Sequence, residues 1–439
     1  MSELATSRST DELQVAYYFW LSQMTHLNER SALKFKDKFP TFESWDTLSP
    51  SDRNDAARAT LGDDCFKVIA TNFDSAIERA FKDLKSHNSR GIKVISMHGP
   101  LYPDLLRKIP DPPLILFVKG ASEALLENMN VAIIGTRDTT PTGEKVATRI
   151  AKWLGEHDWC IVSGLAKGID AAAHRGAIEA KAKTIAVMAM PLDKVYPAEN
   201  QELADAIIDS GGCWVSEMAL WRKPHRGSFV QRDRIQSGLS VAVIPVQTDV
   251  EGGTMHTVRY AERQKRLLLC PRPIDQESSL KQYAGIRRLI ETQRAKPFAM
   301  DQYGEILEIL SKSLVVLVGA GISKADKLVI TDAYKDHETT TLGNADEDEQ
   351  QEKPRKTKRK PVGRLQVDFD FVVDLNNGKS AKPKKKSRKL VEAEIEVLKQ
   401  LVFEVEQLRK PDGTSLSNID EFKDWLESKI KARTNCQAD

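Results

Sequence analysis

The stretch Cys160-Ile161-Val162-Ser163-Gly164-Leu165-Ala166-Lys167-Gly168-Ile169-Asp170-Ala171-Ala172-Ala173-His174 decides the fold. It opens with a short, wholly apolar run at 160–162, passes through a loop with two glycines, and enters a helical stretch at 171–179. A second apolar run, 184–190, follows. Strand, helix and strand make a βαβ unit, and strands that are apolar throughout belong to a parallel sheet covered on both faces. The alternation extends outward. Apolar runs recur at 131–134, 213–215, 241–246 and 267–270, with helical stretches at 143–156, 200–209 and 254–265. We therefore expect a doubly wound α/β domain over residues 89–330.

Residues 1–88 read as a small N-terminal helical domain. Ser9-Thr10-Asp11-Glu12 is a capping stretch, Val15, Tyr18, Phe19 and Leu21 follow at helical spacing, and Pro40, Pro50 and Gly62 break the later helices. Residues 331–387 lose apolar periodicity. Acid gathers at 346–349 and base at 353–360 and 382–389, so this segment is expected to be a charged, disordered linker. Periodicity returns at 388–439, where Val391, Ile395, Leu398, Val402 and Val405 form a heptad-like stripe. After the Pro411-Asp412-Gly413 turn, Ser417 caps a second helix carrying Ile419, Phe422, Leu426 and Ile430. This C-terminal helical hairpin is too small to stand alone and is expected to pack on a copy, the body or a partner.

Across 439 residues, 65 Lys and Arg balance 63 Asp and Glu, a formal charge of +2. Affinity for a polyanion must therefore come from local placement of charge. Cys65, Cys160, Cys213, Cys270 and Cys436 stand singly and are odd in number, which argues against a disulfide framework or a zinc knuckle. The early apolar run at 15–21 falls short of the roughly 20 residues that cross a bilayer. Residues 1–10 are polar and carry no leader pattern. The expectation is a soluble cytoplasmic protein with no membrane partner.

Doubly wound sheets bind ligands beyond the carboxyl ends of their strands. There the sequence places Gly135-Thr136-Arg137, suited to a phosphate or to a tight turn with a surface arginine. It also places the 163–170 loop, where Gly164 and Gly168 allow close backbone approach and Lys167 adds a point charge. Asp170 and His174 then either serve this loop or cap and pack the helix. The loop is neither Gly-x-Gly-x-x-Gly nor a Gly-Lys-Ser/Thr phosphate loop. Further on, Phe229 beside Arg232 and Arg234 fits single-stranded nucleic acid if exposed, or a core ring with salt-bridged arginines if not. Glu251-Gly252-Gly253-Thr254 forms another amide nest. With no paired carboxylates, metal spacing or Ser-His-Asp order, we expect no catalytic residue, no metal and no cofactor.

The ordered segments Ile134-Gly135-Thr136-Arg137, the 162–170 loop with Ala173-His174, Val195-Tyr196-Pro197 with Asn200, Ser216-Glu217, and Phe229 with Arg232-Asp233-Arg234-Ile235 resemble the motifs of the DNA-processing protein A (DprA/Smf) family. The resemblance runs from about Lys93 to Leu310. It implies an extended Rossmann-like domain that binds single-stranded DNA, forms homodimers and helps to load a recombinase during DNA uptake. It implies Arg137, Lys167, Phe229 and Arg232 as DNA contacts. With the loops read above, the candidate set is Gly135, Thr136, Arg137, Ser163, Gly164, Lys167, Gly168, His174, Phe229, Arg232, Arg234, Gly252, Gly253 and Thr254.

This chain departs from the family pattern at Asp233, where the family usually has Asn, at Ala189-Met190, where it has Gly, and at Pro271-Arg272, where it has Pro-Gly. Its common winged-helix tail is not recognisable here. Divergent members with altered tails occur beside toxin-like genes in anti-phage modules. That makes an antitoxin or DNA-sensing role, with a toxin partner on the C-terminal region, the alternative to recombinase loading. A third reading is a nucleotide-hydrolysing enzyme of a related Rossmann family, with Glu217 or Glu262 as acid/base. The residues 314–323 resemble the strand-loop of sirtuin-type NAD sites, but no second α/β domain follows, so they read as an extra strand or docking segment.

Overall fold

The apolar runs become the centre of one sheet. Its strands are β1 (Ile92–Ser96), β2 (Ile115–Gly120), β3 (Asn130–Ile134), β4 (Cys160–Ser163), β5 (Thr184–Val187), β6 (Cys213–Ser216), β7 (Ala242–Pro245), β8 (Leu267–Pro271) and β9 (Lys296–Phe298). Their order is β1-β2-β6-β5-β4-β3-β7-β8-β9. The structure, a computed structural model, describes residues 8–23, 29–61, 73–274 and 276–318, all within the unit Met1–Ile330. The expected linker at 331–387 and hairpin at 388–439 lie outside the described residues.

The strands from β6 across to β9 pair in parallel, and β3 sits centrally with Ala132 opposite Val162 on one side and Val243 on the other. Successive side chains of a strand point to opposite faces. Val131 and Ile133 accordingly join one core with α7 (Pro141–Gly155), α8 (Ile169–Glu179) and α13 (Tyr303–Val318). Ala132 and Ile134 join the other, with α10 (Arg226–Gly238), α11 (Thr254–Arg263) and α12 (Ala284–Glu291). The sheet is thus wound on both faces, as expected.

Several elements depart from the sequence reading. β1 and β2 form an antiparallel edge that the apolar runs did not reveal, and β9 adds a short parallel strand at the far edge. β5 ends at Val187, so 188–190 turn away to line a cavity instead of extending the strand. The motif at 226–238 is a helix, and residues 314–318 form the last part of α13, not an extra strand; 319–323 lie outside the described residues. A short apolar run carries no period with which to tell a strand from the end of a buried helix.

The N-terminal helices are α1 (Thr10–Ser22), α2 (Glu29–Lys38), α3 (Phe42–Asp46), α4 (Pro50–Leu61) and α5 (Phe73–Asn88). The Ser9 hydroxyl accepts the Glu12 N–H and the Glu12 carboxylate accepts the Ser9 N–H, closing the capping box on α1. Tyr17, Phe19, Trp45 and Phe73 share one core with Ile92, Phe117 and Trp214 of the sheet. His87 of α5 stacks on Phe117 with ring centroids 4.7 Å apart. Its Nδ1 lies 2.7 Å from the Asp83 carbonyl and its Nε2 accepts the Leu220 N–H, so the ring ties α5 to the loop after β6. No helix among the described residues is long and apolar enough to cross a membrane.

The most extensive helix contact among the described residues is that of α7 with α8, and Gly176 permits it. A Cβ there would lie 2.9 Å from the Ala151 Cβ and closer still to the Thr148 carbonyl. Gly176→Ala gains about 1 kcal/mol of helix propensity. Overpacking against a fixed carbonyl costs about 1–3 kcal/mol. We expect the cost to win, lowering the urea midpoint at unchanged slope. A midpoint at or above the wild-type value would show that the two helices separate freely.

Candidate nucleic-acid interface

Chain direction across the sheet reverses between β3 and β7, and the crevice between their carboxyl ends is where an open α/β sheet takes a ligand. Two adjoining cavities occupy this edge, of about 490 Å³ and about 230 Å³. Arg137, Ala166, Phe229 and Arg232 line both.

The 163–168 loop is built around buried polar groups. The Ser163 hydroxyl donates to the Ile133 carbonyl at 2.6 Å, pinning β4 to β3. Leu165 and Gly168 both adopt left-handed backbone, with φ of 56° and 80°. At Gly168 a Cβ would also meet the Thr136 carbonyl at 2.6 Å, which requires glycine. Asp170 organises the loop, its buried carboxylate accepting the Gly164 N–H at 3.2 Å and the Ala166 N–H. Burial pushes its pKa up, against the pull of Arg232 and these amides.

α10 presents Phe229, Arg232, Asp233 and Gln236 at helical spacing to the same edge. The Arg232 guanidinium fills the space that a Cβ on Gly164 would need. Its Nη1 donates to the Val187 carbonyl at 2.7 Å and its Nε lies 3.2 Å from Asp233 Oδ1. With its amide turned to satisfy both donors, Gln236 Oε1 accepts from Gly164 N–H and from Arg232 Nη1. Arg137 is exposed, and its guanidinium sits 5.6 Å from the centroid of the half-buried Phe229 ring. Tyr196, 50% exposed, meets the same ring edge-on, its centroid 6.0 Å from that of Phe229. Lys167 is exposed and pairs with the exposed Glu199 at 2.7 Å.

The cavities differ in charge. The smaller carries Arg137, Lys167 and Arg232 among apolar walls from Met188, Met190, Tyr196, Pro197 and Phe229, with no carboxylate in its lining. The larger carries Arg137 and Arg232 against Asp138, Asp170, Asp233 and Asp249. Burial pushes Asp233 up to about 7, against the attraction of Arg232. Its extra negative charge is therefore partly relieved by the neighbouring arginine and partly by protonation.

Of the candidate set, Gly135, Thr136, Arg137, Phe229, Arg232, Gly252, Gly253 and Thr254 line the larger cavity, and Gly164 and Lys167 the smaller. Gly168 shapes the loop between them. Three candidates lie inside the protein. The Ser163 hydroxyl is used within the sheet. His174 is fully buried with Nδ1 2.7 Å from the Thr184 hydroxyl, and burial pushes its imidazole down to about 3. Arg234 is 1% exposed, with Nη2 donating to both Glu217 oxygens at 2.7 and 2.8 Å and Nε 3.4 Å from Asp111. Both carboxylates considered as acid/base groups are held by arginines, Glu217 in this way and Glu262 by Arg294 at 2.7 and 2.8 Å. The sequence reading missed Tyr196, Met188 and Gln236 as lining residues. Only Tyr196, within the Val195-Tyr196-Pro197 segment already singled out, carried a signal.

Residues 93–311 match the family model of DNA recombination-mediator protein A. The DNA processing protein DprA of Bacillus subtilis is 38% identical over 183 residues, which cover 42% of this chain and 61% of that protein. DprA of Streptococcus pneumoniae is 35% identical over 193 residues, covering 43% of this chain and 67% of that one. The X-ray structure of the Streptococcus pneumoniae protein aligns with a TM-score of 0.52 at 28% identity, over 64% of this chain and 94% of the solved chain. The match spans from about half to three fifths of the length of the first curated relatives. On its sheet, its site loops and these similarities, the chain belongs to the DprA/Smf family of DNA processing proteins.

Proposed function

We propose that this protein binds single-stranded DNA along the carboxyl edge of its sheet and acts without catalysis in DNA processing and recombination, as a homodimer that helps to load a recombinase. The observation that carries the binding reading is the half-buried Phe229 ring with the Arg137 guanidinium over it, at the mouth of a cavity that Lys167 and Arg232 make cationic. Bases of any sequence can stack on an aromatic face while cations hold the phosphates. The charge contrast supports a division of labour. Phosphate belongs in the smaller cavity, and the larger, rich in acceptors, suits the amino edge of a base. The recombination role rests on family membership.

Arg137→Ala with Lys167→Ala removes two phosphate contacts and leaves the buried framework intact. Binding of single strands of any sequence should weaken, and the slope of log affinity against log salt should fall by about 1.4, at about 0.7 per contact. Unchanged affinity and slope in a titration by fluorescence anisotropy would remove the assignment.

A second prediction concerns pH. Asp233 is largely protonated below about 7 and ionised above it. His174, at about 3, stays neutral across that step, and burial holds His256 below its ordinary 6.5. DNA affinity should therefore fall as pH rises from 6 to 8, and Asp233→Asn should flatten the profile. Because the folded-state value is raised, folding stability falls as pH climbs from 3.8 toward 7. The variant should gain stability relative to wild type at pH 8 and lose that advantage near pH 4. Equal differences in urea midpoint at both pH values would show that Asp233 does not titrate in this window.

A further inference from the structure

The loop between β6 and α10 has no part in the two cavities, yet the sheet order places it on the same edge. From β6 to β3 is three strand intervals, roughly 14 Å at about 4.8 Å each. The loops after β6, β5, β4 and β3 thus form one row. The β6 loop reads Trp221-Arg222-Lys223-Pro224-His225 and leads directly into α10, whose first turn carries Phe229.

Trp221 is 48% exposed, although Phe19 and His87 hold its ring edge-on at 5.7 and 5.5 Å between centroids. Such a ring has its orientation set before any ligand arrives, so stacking on it costs little side-chain entropy. The cations around it are uncompensated. The Arg222 guanidinium donates to neutral oxygens, Gln23 Oε1 at 3.2 Å and the Ser22 carbonyl at 3.4 Å. Lys223 and Arg226 are exposed, and among the described residues neither has a carboxylate within ion-pair distance. Lys167, in contrast, already holds Glu199.

We propose that Trp221, with Lys223 and Arg226, is a second stacking platform that takes a single-stranded nucleic acid onward from the Phe229 cavity toward the N-terminal helices. This proposal rests on the reading of the cavities as a single-strand site. An oriented aromatic ring flanked by free cations, with no other large hydrophobic side chain exposed in the loop, fits a polyanion with stackable bases better than an apolar protein surface.

The test uses the full chain and fluorescein-labelled oligothymidylates of about six and about eighteen nucleotides, near the two ends of the site sizes that single-strand-binding domains show. Wild type should bind the long strand more tightly. Trp221→Ala should weaken binding of the long strand by about tenfold and leave the short one unchanged, and Trp221→Phe should restore most of the loss. Lys223→Ala with Arg226→Ala removes no packing and should lower the salt slope for the long strand by about 1.4. Arg137→Ala with Lys167→Ala should weaken both lengths, which separates failure of the cavity from failure of the platform. Wild-type affinity of the loop variants for the long strand would overturn the proposal. So would an equal loss for both lengths, which marks a loop that acts through the fold. No binding of either length by wild type would overturn the cavity reading and the platform with it.

Discussion

Burying the Arg232 guanidinium beneath the 163–168 loop is the constraint on which the cavity-lined edge of the sheet depends. A buried charge is tolerated only when its donors are met. Here Nη1 donates to the Val187 carbonyl at the end of β5 and to Gln236, and the charge is offset by the Asp233 carboxylate, 3.2 Å from Nε. Gly164 must lack a side chain to make room, and Asp170 must hold the loop that Gly164 opens. A glycine and a carboxylate at 164 and 170 are thus tied through one cation to a carboxylate and an amide at 233 and 236, in a different part of the sequence. The consequence is a rigid floor under Phe229 and Arg137, so the exposed part of the site is positioned before a ligand arrives.

The same constraint explains which parts of the protein could be read from its sequence. β3, β4, β5, β7 and β8 are buried on both faces and announce themselves as apolar runs. β1 is an edge strand of pattern Ile92-Lys93-Val94, with Lys93 exposed, so it carries no unbroken apolar run. α10 was invisible as a helix for a different reason. Its buried positions include Ser228, Arg232, Asp233, Arg234, Gln236 and Ser237, so the face that packs is polar and shows no apolar period. Part of that polar face, Arg232, Asp233 and Gln236, lines the larger cavity. A sequence stretch with two arginines and an aromatic was legible as functional, but nothing in it distinguished Arg232, at the cavity, from Arg234, turned inward onto Glu217 and Asp111. Adjacent helix positions lie about 100° apart, so two residues differing by two positions face nearly opposite ways. His174 and Ser163 belong to the same class: polar residues beside a glycine loop, whose partners are other strands.

The net charge near zero acquires a meaning once each cation is placed. Arg232 and Arg234 are balanced internally, and their buried pairs would be costly to break because the partner would be left without compensation. Lys167 is balanced by Glu199, but both groups are exposed, and a pair in that setting contributes little. A phosphate can therefore displace Glu199 and take Lys167 without disturbing the fold. Arg137 lies over the face of the Phe229 ring, an attraction that survives when the guanidinium also bonds a phosphate. The cations free to meet a ligand are thus a small subset of the 65 in the chain, selected by exposure and by the cheapness of their existing partners. Composition reports the sum, in which paired and free charges count alike. The field that an approaching anion would meet is set by the unpaired remainder along one sheet edge.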